Sequence, residues 1–327
     1  MTDRIPVLVD CDTGIDDAMA LLFMLAQDRF EVVGVTSVFG NNTAAQCAIN
    51  SLRVLELVGR GDIPVAVGAE NPLVGEVTYL ATHVHGSDGL GDAGLPTDVA
   101  AQPDSRDAVT LIDDLSREYA GRLRILAVAP LTNLAHALER IPDLTDRVAD
   151  VVIMGGACDA PGNQSPAAEA NIIHDPEAAQ VVLSAAWPTT LVPLDVTMRE
   201  VLEESDRSAL FAAGTAVPEF VARATDFYFG GYGWAVYGRR ASPAHDALAA
   251  AILTGDIVPT VFPHIDVDVD CTDGPSRGAT IADTRAKYRR FEGVAPGRTR
   301  VALETDGSFP RVLVETLIGF GERLGIR

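Results

Sequence analysis

Short apolar runs alternate along the chain with stretches whose apolar residues return at helical spacing. Val7-Leu8-Val9 is the first run, and residues 16–25 follow with the three- and four-residue intervals of a helix. The β-branched run 32–38 predicts a buried strand. Residues 43–58 predict a long helix with Asn42 or Thr43 as its N-cap, and 63–67 a third strand. The same reading places strands at 123–128, 151–154, 190–194 and 261–269. Helices are expected at 107–120, 133–139, 175–186, 216–229, 246–253 and 311–324. Strand followed by helix, repeated, is the signature of βαβ units. The expected fold is therefore α/β: an open, mostly parallel central sheet flanked by helices. Residues 1–327 are read as one domain, because no linker, repeat or low-complexity tract interrupts them. Two long polar segments, 71–105 and 155–174, stand out as loops too long to be mere connections.

Composition narrows the partners. The chain has 25 basic and 46 acidic residues, a formal charge of −21, and Lys287 is its only lysine. Nucleic acid and anionic membranes need a basic surface, so neither is an expected partner. Cys11, Cys47, Cys158 and Cys271 form no CxxC pair and read as buried thiols of a reducing compartment. No signal-peptide pattern opens the sequence, and the expected location is the cytoplasm.

In an open parallel sheet, ligands bind beyond the carboxyl ends of the strands. The first predicted strand ends in Asp10-Cys11-Asp12-Thr13-Gly14-Ile15-Asp16-Asp17, four aspartates in eight positions. N-capping by Asp12 or Thr13 would account for one or two of them. A hard cation, Ca²⁺ or Mg²⁺, would account for the rest, because all the donors are oxygens. The second strand leads to Gly40-Asn41, the fourth to Leu131-Thr132-Asn133, and the fifth ends in Met154-Gly155-Gly156. His245-Asp246 opens a helical stretch, where Asp246 has an N-capping alternative. Asn163, Glu169 and Asn171 in the 155–174 loop suit hydroxyl recognition, as in sugars.

This ordered set, from Asp10 through Asn41, His85-Gly86, Leu131-Thr132-Asn133, Met154, Asn163 and Glu169-Ala170-Asn171 to His245-Asp246, resembles the nucleoside hydrolases, the inosine–uridine-preferring nucleoside N-ribohydrolase family. The resemblance implies a Rossmann-like fold and calcium-dependent hydrolysis of the N-glycosidic bond of ribonucleosides. It implies Ca²⁺ held by Asp12, Asp17 and Asp246 and by the Thr132 carbonyl, with Asp10 behind them. Asp12 would be the general base. Asn41 would lie near the attacking water, and Asp16 and Asn171 would help to hold the ribose diol. Asn163 and Glu169 would hold the 5′-hydroxyl, and Met154 would pack on the sugar. Tyr228 and Tyr232 resemble tyrosines that close over the base. His245, with His85 second, would serve the departing base. The family also implies a homodimer or homotetramer. Two positions depart from its pattern: Thr13 stands where proline is common, and Ala170 where an aromatic residue is common. A haloacid-dehalogenase-like phosphatase, with a similar strand-end Asp-x-Asp-x-Thr, and a non-catalytic calcium- or nucleoside-binding protein are the alternatives.

Overall fold

The computed structural model describes residues 4–287 and 297–326. The strands are β1 (Ile5–Cys11), β2 (Phe30–Ser37), β3 (Val65–Val67), β4 (Leu123–Ala127), β5 (Val148–Met154) and β6 (Thr189–Val192). After them come β7 (Val201–Glu203), β8 (Ala241–Pro243), β9 (His264–Ile265), β10 (Val267–Val269), β11 (Thr280–Ala282) and β12 (Thr299–Val301). Eight form the main sheet in the order β3-β2-β1-β4-β5-β6-β12-β9. All its neighbours pair parallel except β9, which runs antiparallel to β12 at the edge. The expected open, mostly parallel sheet is thus present. β1 lies inside it, and the order reverses there: β2 and β3 extend to one side of β1 and β4 to the other. That reversal opens a crevice at the carboxyl ends.

Alternation along β1 builds a core on each face. Val7 and Val9 pack with the helix Ile15–Leu25 and the helix His245–Thr254, while Leu8 packs with Leu111, Ile112 and Leu115 on the other side. Nearly every residue of Ile15–Leu25 is buried, because it is covered by the sheet on one side and by further helices on the other. Ala247, Ala249, Ala250 and Ala251 keep the His245–Thr254 helix slim enough to lie against it. These two helices bring the 10–17 segment and Asp246 to one place, although more than two hundred residues of chain separate them.

The 261–269 expectation needs correction. That stretch is a bridge at Val261, the two-residue β9, and β10, which leaves the main sheet to pair with β11. Asp266 divides the two short strands and accepts a hydrogen bond from the Arg298 amide. β12 was not expected, because three residues carry too little pattern to register. Thr43 caps the second long helix by accepting from Gln46 N at 3.2 Å, as one of the two expected caps. The long segment 71–105 contains one short helix, Thr82–His85. Buried Arg53 pins the chain after it, pairing with Asp88 at 3.0 Å and donating to the Leu95 and Pro96 carbonyls. Among the described residues no helix is long and apolar enough to cross a membrane.

Candidate active site

The capping alternatives fail at both aspartate segments. The helix Ile15–Leu25 has Gly14 as its N-cap, and Asp17 Oδ2 accepts from Gly14 N at 2.8 Å while Oδ1 accepts from Asp12 N at 3.2 Å. At the other helix the N-cap is Ala244, so Asp246 sits inside the first turn. Asp17 closes a capping box on Gly14 N, while Asp16 and Asp246, in the first turns of their helices, offer their carboxylates to the crevice. Asp16, Asp17 and Asp246 each present one oxygen within 4.8 Å of the others, and all three are buried. Asp12 adjoins them, its Oδ2 accepting from Asn41 N at 2.7 Å, and Asn41 Nδ2 reaches Asp17 at 3.1 Å.

No lysine or arginine lines this cavity among the described residues. Burial, then the charge of Asp17, pushes Asp12 well above the ordinary carboxylate range; the same two causes push Asp16 up to about 8. Burial and then Asp16 raise Asp246. With these carboxyls raised together, the metal-free cluster favours holding a proton. A proton there does a poor version of what a divalent cation does. Calcium takes six to eight oxygens at ~2.3–2.6 Å, so ligand oxygens up to about 5 Å apart fit around one ion. The donor set suits a hard cation by both spacing and chemistry.

Behind the cluster, Asp10 is fully buried at the end of β1. Its Oδ1 accepts from Thr36 at 2.6 Å and Asn133 at 2.8 Å, while Oδ2 has no partner. Burial pushes Asp10 up to about 6 despite both bonds. Asn133 also donates to Ser37 O and accepts from Ala69 N, tying β1, β2 and the loop after β3 together. Within Leu131-Thr132-Asn133, nothing in the sequence marks Asn133 as the member that touches Asp10. Thr132 itself does not line the cavity. Its hydroxyl donates to Asp175 at 2.7 Å, and the residue of that segment in the wall is Val128, directly after β4.

Two glycines are required by close approach. A Cβ on Gly14 would stand 2.5 Å from His85 Nδ1 and 2.7 Å from Asn41 Nδ2. Gly40, at φ +152°, leaves no room for a Cβ beside Asp12 Oδ2.

The cavity, about 230 Å³, is lined by Asp12, Asp16, Asn41, His85, Met154, Asn163, Glu169, Asn171, Tyr228, Tyr232, His245 and Asp246. Residues drawn from the first 41 positions, the 155–174 loop and the last third thus meet in one place. Glu169 caps the helix Ala170–His174, accepting from Asn171 N at 2.9 Å, Gly156 N at 3.0 Å and Ile172 N at 3.2 Å. Burial raises its carboxyl to about 6. Asn171 donates to Met154 O at 3.2 Å, and Asn163 accepts from Ala170 N at 3.0 Å.

His85 is buried and accepts from Ile15 N through Nδ1 at 3.1 Å. A backbone amide can only donate, so the His85 proton sits on Nε2. Burial holds His85 down to about 3 and His245 to about 4, so both rings are neutral near pH 7. Tyr228 covers them, its ring centroid 5.8 Å from that of His85 and 5.3 Å from that of Tyr232. Tyr228 ends an α-helix, but Tyr232 lies in the π-helical turn Phe229–Gly233 that follows, a wider turn than the expected continuous helix. Such single π turns occur often at functional sites. The Tyr232 hydroxyl points to Met198 Sδ at 3.9 Å.

Tyr79, His83 and His174 line the same cavity and were not assigned to it from sequence. Tyr79 makes ring contacts with both histidines, and its hydroxyl bonds His83 at 3.0 Å. His174 lies twenty residues beyond the end of β5 and gave no pattern that could place it there.

Comparison with known proteins gives a consistent answer. The family model for "inosine-uridine preferring nucleoside hydrolase" matches residues 7–309. The pyrimidine-specific ribonucleoside hydrolase RihA of Salmonella gallinarum is 36% identical over 315 residues, 96% of this chain and 98% of its own length. The purine-preferring ribonucleoside hydrolase from Gardnerella vaginalis superposes with a TM-score of 0.88 at 28% identity, over 97% of this chain and 99% of that one. The plant nucleoside hydrolase PpNRh1 superposes with a TM-score of 0.86 at 31% identity, over 98% and 99% of the two chains.

Proposed function

The chain belongs to the inosine–uridine preferring nucleoside hydrolases and is a ribonucleoside hydrolase acting on N-glycosyl bonds; from that premise we propose that it works with calcium held by Asp12, Asp16, Asp17 and Asp246. The single observation that carries the calcium reading is the buried carboxylate cluster with no cationic side chain beside it. Asp16, expected from sequence only as a ribose ligand, joins the cluster. The backbone oxygen expected from Thr132 is better supplied by Val128, which lines the cavity where Thr132 does not. The phosphatase alternative is set aside by the family match over residues 7–309.

When bound, the cation supplies positive charge that orders the ribose 2′- and 3′-hydroxyls and lowers the pKa of a water. The protein's part follows from its hydrogen bonds. Asn41 N holds Asp12 Oδ2, which leaves the other oxygen free to take the proton of the attacking water. Glu169 and Asn163 wall the sugar end and hold the 5′-hydroxyl, with Met154 beneath the ribose. Fixing the sugar this way places the anomeric carbon before the water and removes orientational freedom, a large part of the barrier in such reactions. Cleavage develops oxocarbenium character on the ribose, and the buried carboxylates lie where that charge appears. His245 and His85 face the departing base under Tyr228 and Tyr232.

Two of these relatives differ by name in base preference, so the ribose clamp carries the reading and ribonucleosides are the class. The family resemblance adds a homodimer or homotetramer working in the cytoplasm. The test is release of free ribose from uridine and inosine by the purified protein. Its calcium content is read by metal analysis and its rate is measured before and after chelation. About one calcium per chain and loss of turnover on chelation are the expected results. Full activity with no bound metal, or with zinc in its place, would overturn the calcium reading.

A further inference from the structure

His245 touches one group that no motif announced. Its Nδ1 lies 2.7 Å from Thr197 Oγ1, and both side chains are buried. Thr197 ends the short helix Leu194–Thr197 after β6 and does not line the cavity. Asp195 in the same helix accepts three successive amides, those of Cys158, Asp159 and Ala160, so the helix is braced against the 155–174 loop.

Among the described residues the Thr197 hydroxyl has no other hydrogen-bond partner. A buried hydroxyl proton without an acceptor costs its full desolvation, whereas Nδ1 as acceptor satisfies both groups at once. We infer that Thr197 is a positioning residue for the reaction: its hydroxyl donates to His245 Nδ1, fixes the ring as the Nε2–H tautomer, and so aims a hydrogen-bond donor at the leaving nucleobase. The inference rests on the placement of His245 at the leaving group proposed above.

The assignment changes what His245 does. A neutral ring that surrendered its only proton would become an imidazolate. His245 therefore contributes a hydrogen bond rather than a whole proton, as a neutral histidine electrophile can. The C1′–N bond breaks with its electron pair going to the base nitrogen, and the Nε2–H stabilises that nitrogen as it gains charge. The water hydroxyl joins C1′ and its proton goes to Asp12. The departing base takes a proton from solvent, Asp12 returns one, and the sum is riboside plus water giving ribose plus free base. His85, whose Nδ1 is held by Ile15 N, has the same Nε2–H tautomer through a backbone donor that only proline at position 15 would remove.

The experiment compares wild type, Thr197→Val, Thr197→Ser and His245→Ala on uridine, inosine and p-nitrophenyl riboside. Nitrophenolate leaves without help, so a lost donor shows only on the nucleosides. Thr197→Val is expected to lower kcat on the nucleosides by roughly 10–10²-fold, the size of one hydrogen bond to a charged group, with KM and p-nitrophenyl riboside turnover within about threefold of wild type. Thr197→Ser should restore most of the loss. Nitrogen-15 spectra of histidine-labelled wild type should show the His245 proton on Nε2, a readout independent of whether the valine variant folds. Selective loss in His245→Ala together with wild-type nucleoside turnover in Thr197→Val would overturn the role of Thr197, as would a proton found on Nδ1. Equal loss on all substrates in His245→Ala would instead overturn the placement of His245 at the leaving group.

Discussion

Removing the cation should expose the carboxylate cluster to its own repulsion, and the effect should depend on pH. Asp16 ionises near 3.8 in an unfolded chain and is pushed up to about 8 by burial and by Asp17. Between those values the metal-free folded protein holds a proton that the unfolded chain has released. Stability then falls as pH rises, by about 1.4 kcal/mol per pH unit for each such proton. From about pH 5.5 to about pH 7.5 that is two units, so Asp16 alone costs about 3 kcal/mol. Asp12 and Asp246 are pushed the same way, which makes one proton the minimum. A bound cation takes the place of those protons and removes the slope. Thermal melts in chelator and in excess calcium, recorded at both pH values, test this. The gap between the two melting temperatures should widen by roughly 5–10 °C between the lower and higher pH, given the few degrees per kcal/mol typical of a chain this long. A gap that stays constant with pH would refute the argument that one ion and one set of protons compete for these oxygens.

Other perturbations separate the parts of the site. Asp12→Asn should lower turnover by ~10²–10⁴-fold in steady-state assays, the usual loss for a general base, and turnover within tenfold of wild type would place the base elsewhere. Glu169→Gln should raise KM for uridine and inosine while leaving 5′-deoxynucleosides unaffected; equal effects on both would remove Glu169 from the 5′-hydroxyl. Gly14→Ala keeps an ordinary φ of −102° yet drives a Cβ against His85 and Asn41. It should therefore cost about 1–3 kcal/mol in denaturant unfolding and much more in turnover, because the atoms it displaces belong to the site.

Much of this could be read from the chain. The sheet was legible because β1, β2, β4 and β5 are buried on both faces and leave continuous apolar runs between helical periods. The aspartates of residues 10–17 were legible because no structural need explains four of them in eight positions. What stayed hidden depends on the third dimension. β12 has three residues, and β9 and β10 look like one strand until Asp266 separates them. Thr132 appeared more chemical than Val128, yet a backbone carbonyl needs no particular side chain, so the sequence carries no signal for the better-placed residue. Thr197, Tyr79 and His174 are common residue types in unremarkable contexts, and only the fold brings Tyr79 and His174 to the cavity and Thr197 behind His245. For Asp246 the sequence left an N-capping alternative open beside the metal reading; Ala244 takes the cap position and leaves the carboxylate for the crevice.

The π-helical turn that carries Tyr232 has an optical consequence. The chain has two tryptophans. Trp187 is buried ahead of β6 with its indole N–H bonded to the Val182 carbonyl, and it is remote from the cavity wall. Trp234 directly follows the π turn, is 59% exposed, and stands two residues from Tyr232 with Gly233 between them. Emission from this protein is therefore the sum of a blue, constant component and a red component attached to the rim of the site. A movement of the tyrosines over a nucleoside should therefore alter the red component, and recording emission while nucleoside is added reads it without an added label.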